Sequence, residues 1–110
     1  MKTQHKDLAM GRWARMSICE QMTNIGGEVS RALNWQKKGN PDFSRKAAER
    51  ALELIDLSLD SIKLFSRIRE LARLREAVVD YFWGSNQFSS SEKLWRKYFG
   101  HFNYALRKNF

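Results

Sequence analysis

The chain has 110 residues, 43% hydrophobic and 13% aromatic, with one proline and six glycines; this is the length of one domain and too rich in core-forming residues for a disordered chain. Twenty Lys and Arg against twelve Asp and Glu leave a formal charge of +8, which implies a polyanionic or acidic partner: nucleic acid, an anionic membrane face or an acidic protein. A lone Cys19, no Cys/His cluster, no apolar run near the ~18 residues of a membrane span and no signal-peptide core in Met1-Lys2-Thr3-Gln4-His5-Lys6-Asp7 lead us to expect a soluble, cytoplasmic protein without disulfide, metal, cofactor or membrane partner.

Residues 1–16 read as an N-terminal arm, or as a short helix that lays Trp13 and Met16 against the remainder. Residues 17–108 read as four helices. Ser17-Ile18-Cys19-Glu20 is a capping box, and Ile18, Met22, Ile25, Val29, Ala32 and Leu33 follow as one amphipathic stripe. Gly26-Gly27 interrupts this helix at about 1 kcal/mol per glycine relative to alanine. Close approach of a neighbouring helix accounts for that cost, as does a local kink. Lys37-Lys38-Gly39 ends the helix with cations and a glycine.

Asn40-Pro41 opens the second helix, a cap followed by proline in the first turn. Its predicted inner face is Phe43, Ala47, Ala51, Leu54, Ile55 and Ser58, widened by Leu52, Leu57 and Leu59, with a break near Asp60-Ser61. The third helix is predicted from about Ser66 to Trp83, with Ile68, Leu71, Ala72, Val78, Val79 and Phe82 inward and Arg75 interrupting the stripe. Gly84-Ser85-Asn86 stops it. Ser89-Ser90-Ser91-Glu92 reads as a second capping box, followed by Leu94, Trp95, Tyr98, Phe99, Phe102, Ala105 and Leu106. No segment alternates with period two. The expectation is a single all-α domain, an antiparallel four-helix bundle.

Charge is uneven along the chain. Residues 1–60 carry ten Lys/Arg and eight Asp/Glu, whereas residues 61–110 carry ten and four. The candidate nucleic-acid contacts are therefore Lys63, Arg67, Arg69, Arg73, Lys93, Arg96, Lys97, Arg107 and Lys108. Tyr81, Trp83, Phe88, Trp95, Tyr98 and Tyr104 lie among these cations. Arg and Lys neutralise phosphates, and exposed rings stack on unpaired bases. The competing reading puts the rings in the core and the cations in water.

Few residues carry catalytic chemistry. Glu20, Glu28, Glu49, Glu53, Asp56 and Asp80 lack the Glu-x-x-His spacing of a di-iron bundle and read as ion-pair partners for Arg31, Arg50 and Arg75. Arg96-Lys97-Tyr98-Phe99-Gly100-His101 resembles the RX4–6H motif of HEPN-domain ribonucleases. That resemblance implies that Arg96 holds phosphate charge while His101 moves a proton. On a straight helix the two side chains stand about 140° apart, so a break at Gly100 would have to bring them together.

Size, four amphipathic helices, short turns, basic excess and the ending Tyr104-Ala105-Leu106-Arg107-Lys108 resemble bacterial and phage four-helix-bundle proteins. Among these are the proteins encoded in ribosomal RNA intervening sequences and the accessory variability determinants of diversity-generating retroelements. The resemblance implies a ring-like homo-oligomer whose basic surface holds RNA or a reverse transcriptase–RNA complex. The expectation is thus a non-catalytic accessory protein that self-associates and binds nucleic acid, structured RNA above all. A HEPN-like endoribonuclease or toxin, and a module docking an acidic protein, are the alternatives.

Overall fold

The computed structural model describes residues 11–108, and the start and stop signals of the sequence explain most of its element boundaries. Helix α1 spans Ile18–Lys37, capped by Ser17. Ser17 Oγ accepts from the Glu20 N–H at 3.1 Å and the Glu20 carboxylate accepts from the Ser17 N–H at 3.2 Å. At its far end the Gly39 N–H donates to the Gln36 carbonyl and the Asn40 N–H to the Trp35 carbonyl, a Schellman motif that needs the left-handed φ of +76° at Gly39. Asn40 then accepts from the Phe43 N–H and starts α2, Pro41–Ser61. One residue thus ends one helix and begins the next, which forces an antiparallel hairpin.

Helix α3 spans Phe65–Trp83 and α4 spans Glu92–Lys108. The second capping box does not form as read. Ser89 sits at a φ of +55°, and Ser91 caps α4 by accepting the Leu94 N–H at 3.2 Å. Glu92 turns instead to Lys37 and Arg96. The segment between α3 and α4 is organised from two side chains. The Asp80 carboxylate accepts the Gln87 and Phe88 N–H groups, and the Asn86 amide both donates to and accepts from the Ser90 backbone.

The four helices form an all-α bundle. Helix α1 packs against α2 and α4, and α2 against α3. Among the described residues there is no strand. The core joins Met22, Ile25, Val29 and Leu33 of α1, Ala47, Ala51, Leu54 and Ile55 of α2, Leu71, Leu74, Val78 and Phe82 of α3, and Trp95 and Phe99 of α4. Three inward assignments fail. Phe43 is 44% exposed, lying edge-on to Trp35, and Ala72 and Val79 face solvent. In α3 the apolar line runs through Leu71, Leu74, Val78 and Phe82, so Leu74 fills the place that Arg75 interrupts. Arg75 itself pairs with Asp56 at 2.9 Å.

Gly26 explains one of the two mid-helix glycines. A Cβ there would stand 2.7 Å from the Phe99 ring, whereas one on Gly27 meets nothing within 4 Å. The close approach lies between α1 and α4, and α1 is unbroken through it. Of the N-terminal arm, Trp13–Arg15 forms a short 3-10 helix, and Trp13 is buried; residues 1–10 lie outside the described residues. Three polar side chains fix this entry. The Trp13 indole N–H donates to Ser58 Oγ, Ser58 donates to Gln21 Oε1, and the Gln21 amide donates to the Trp13 carbonyl. Every member is a buried group with a partner, which is the condition under which a polar cluster stabilises a core.

Candidate nucleic-acid interface

The bundle is closed on three seams and open on the fourth. Helices α3 and α4 lack the close backbone packing of the other neighbours and meet through long side chains. Tyr81 lies edge-on to Trp95 at 6.0 Å, and the Tyr98 hydroxyl approaches the Glu70 carboxylate at 3.5 Å. The space left between them is a cavity of about 980 Å³, floored by Leu74, Ala77 and Trp95 and walled by Arg69, Arg73, Lys97 and His101. Phe88, 57% exposed, and Leu94, 54% exposed, stand at its edge. Leu94 therefore belongs to the groove.

The nine candidate cations separate into three groups. Arg69, Arg73 and Lys97 line the groove. Among the described residues no carboxylate pairs with them, and Arg69 lies over the Phe65 ring at 5.9 Å. Lys63, Lys93, Arg107 and Lys108 are exposed away from the groove lining. Arg67 and Arg96 are engaged within the fold. Arg67 pairs with Glu70 at 3.1 Å, while Arg96 donates to Glu92, to Ser30 Oγ and to Asn34 Oδ1, tying α4 to α1.

The Arg96/His101 pair is not assembled within one chain. Helix α4 continues through Gly100 without a break, so the expected convergence does not occur. His101 lines the α3–α4 groove, whereas Arg96 lines a separate cleft against α1 beside Thr23, Gly26 and Ser30. The imidazole thus joins Arg73 and Lys97 instead of Arg96. Among the described residues no three of His, Cys, Asp and Glu gather in a metal-holding group.

Among the described residues Glu92 and Tyr98 have displaced titrations. Hydrogen bonds from Lys37 and then Arg96 hold the Glu92 carboxyl below its ordinary range. Burial, reinforced by the Glu70 carboxylate, pushes the Tyr98 phenol well above its ordinary value. Of the aromatics picked out between the cations, Trp95 is buried in the core and Tyr98 is half-buried, while Phe88, Tyr104 and Trp83 are exposed. Phe65, 70% exposed beneath Arg69, is a further exposed ring beside the cations, detectable in the sequence because it falls one helical turn before that arginine.

Among the described residues no helix is long and apolar enough to cross a membrane. Compared with known protein families, curated proteins and solved structures, the chain matches none.

Proposed function

We propose that this protein is a non-catalytic accessory factor that binds nucleic acid, structured RNA in preference, in the groove between α3 and α4. The observation that carries the reading is the groove itself, where Arg73 and Lys97 stand beside the exposed ring of Phe88 and, among the described residues, pair with no carboxylate. Glu70, the carboxylate that lines the groove, is paired with Arg67, so the groove cations keep a net attraction for phosphate, and their bound counterions are released when RNA replaces them. An exposed ring fixed on a short loop adds stacking on an unpaired base, worth roughly 1–3 kcal/mol. Asp80 and Asn86 hold the loop that carries Phe88, so little ordering is left to be done on binding.

A titration of labelled stem-loop RNA against the protein, from low to physiological salt, tests this reading. The expected result is affinity that falls steeply as salt rises, with the RNA recovered intact. Affinity that is flat with salt, or absent, would refute it. RNA cut in a manner abolished by His101→Ala would move the protein to the nuclease class.

A further inference from the structure

Helix α3 presents a second surface, turned away from the core and adjoining the groove. Phe65, Arg69, Ala72, Glu76, Val79 and Trp83 recur at steps of four, three, four, three and four residues, and all six are exposed. Such steps keep them on one line along the helix, about 27 Å long at 1.5 Å per residue. The widened apolar face of α2 is covered, since Leu52, Leu54 and Ile55 are buried and Leu57 and Leu59 are half-buried. The long unpartnered line lies on α3.

We infer that this line is the surface on which a second copy of the chain docks, with the two α3 helices antiparallel about a twofold axis at Ala72. The charge order argues for a copy of the same chain. Arg69 lies three residues before Ala72 and Glu76 four residues after it, so the twofold sets Arg69 of each copy beside Glu76 of the other. Among the described residues Glu76 has no cationic partner, and Arg69 has only the Phe65 ring. The same operation sets Phe65, seven residues before Ala72, against Val79, seven after it. The smallest side chain then stands at the crossing point, where two helices approach most closely, and Trp83 overhangs the exposed Leu64 end of its neighbour. A twofold interface must be self-complementary in this sense, and an acidic or wholly apolar partner would leave Glu76 or Arg69 unmatched.

One pair of helices of this length falls in the small class of interfaces, so the dimer is a weak one, dissociating on the order of micromolar concentration. The net charge of the two copies does not forbid it, because at physiological salt the Debye length is about 8 Å.

Mass by light scattering or sedimentation, across a concentration series, is the test. The wild-type chain should pass from monomer to dimer. Ala72→Glu places two carboxylates at the axis and Glu76→Arg sets like charges against Arg69; each should weaken association by at least about tenfold. Both positions are exposed, and an unchanged helical melting curve would establish that these variants fold. The swap Arg69→Glu/Glu76→Arg should restore the dimer. In a Cys19→Ser background, Ala72→Cys should give a disulfide-linked dimer under mild oxidation, while Lys93→Cys should not. A chain that stays monomeric at all concentrations, or a dimer insensitive to Ala72→Glu and Glu76→Arg, would overturn the inference.

Discussion

Trp13 donates its indole N–H to the hydroxyl of Ser58 at 3.0 Å, across 45 residues of sequence and in the buried interior. This bond seats the segment before α1 on α2, and the same hydroxyl donates onward to Gln21 at 2.8 Å. Ser58→Ala therefore strands two buried groups at once, the Trp13 N–H and the Gln21 carbonyl. The expected cost is about 1–3 kcal/mol, read as a lower urea midpoint with an unchanged slope. Trp13→Ala also empties a large core site and should cost about 3–5 kcal/mol.

The two glycines of α1 make a matched pair with opposite expectations. Gly26→Ala drives a methyl into the Phe99 ring at 2.7–2.9 Å, contacts too close to persist without a shift of α4. Overpacking of this kind costs typically about 1–3 kcal/mol. Gly27→Ala meets open space and should stabilise the bundle by up to about 1 kcal/mol through helix propensity. Thermal melts of the two variants check both signs.

Between α1 and α2, Glu28 accepts from both Arg31 and Arg50 at 2.7 Å. Glu28 is nearly buried, Arg50 is partly so and Arg31 is largely exposed. Removing Arg50 leaves a carboxylate with only a solvent-loosened partner and should destabilise clearly. Removing Arg31 should cost no more than about 1 kcal/mol, the ceiling for an exposed pair. Chemical denaturation of Arg50→Ala and Arg31→Ala gives the order; equal losses would mean that Glu28 is held by both guanidinium groups alike.

Tyr98 supplies the pH dependence. Burial first, and the Glu70 carboxylate second, raise its phenol above the ordinary value of 10.0. A group raised in the fold binds its proton more tightly there than in the unfolded chain. Its contribution is fully present below pH 10 and is lost as pH rises beyond it toward the folded value. Tyr98→Phe gives up only the long 3.5 Å bond to Glu70, so stability near neutrality should change little. Its melting temperature should then decline less steeply above pH 10 than that of the parent. Identical alkaline limbs would show that Tyr98 titrates freely.

The boundaries were legible in the sequence because caps are local. Ser17 with Glu20, Asn40 with Pro41, and Gly39 each act within one turn of helix, and the structure uses all of them. The second capping box did not form because the cap lies at Ser91, two residues later, which leaves Glu92 to pair with Arg96 and with Lys37 of α1, the latter a partner no local pattern contains. The same distinction governs the candidate site. Spacing brought Arg69 and Arg73 to neighbouring turns, but it could not reveal that α3 and α4 stand apart and leave a groove. Nor could it reveal that Arg96 is occupied by Ser30 and Asn34 of α1. Ala72 and Val79 misled because an apolar residue at helical spacing reads as core whether it faces a neighbour or solvent. Gly26, by contrast, announced a close contact correctly, although Phe99 as the partner was visible only in the fold.

The central claim, that the α3–α4 groove is the nucleic-acid interface, is tested most directly by comparing salt slopes of RNA affinity. Arg73→Ala/Lys97→Ala removes two groove cations that have no ion pair among the described residues, and Arg67→Ala/Arg96→Ala removes two that are engaged within the fold. If each groove cation neutralises one phosphate, the first pair should lower the slope of log affinity against log salt by about two, at slightly under one per contact. The second pair should leave the slope nearly unchanged despite removing the same charge. Equal reductions in both variants would mean that RNA responds only to net charge, and would contradict the groove as its site.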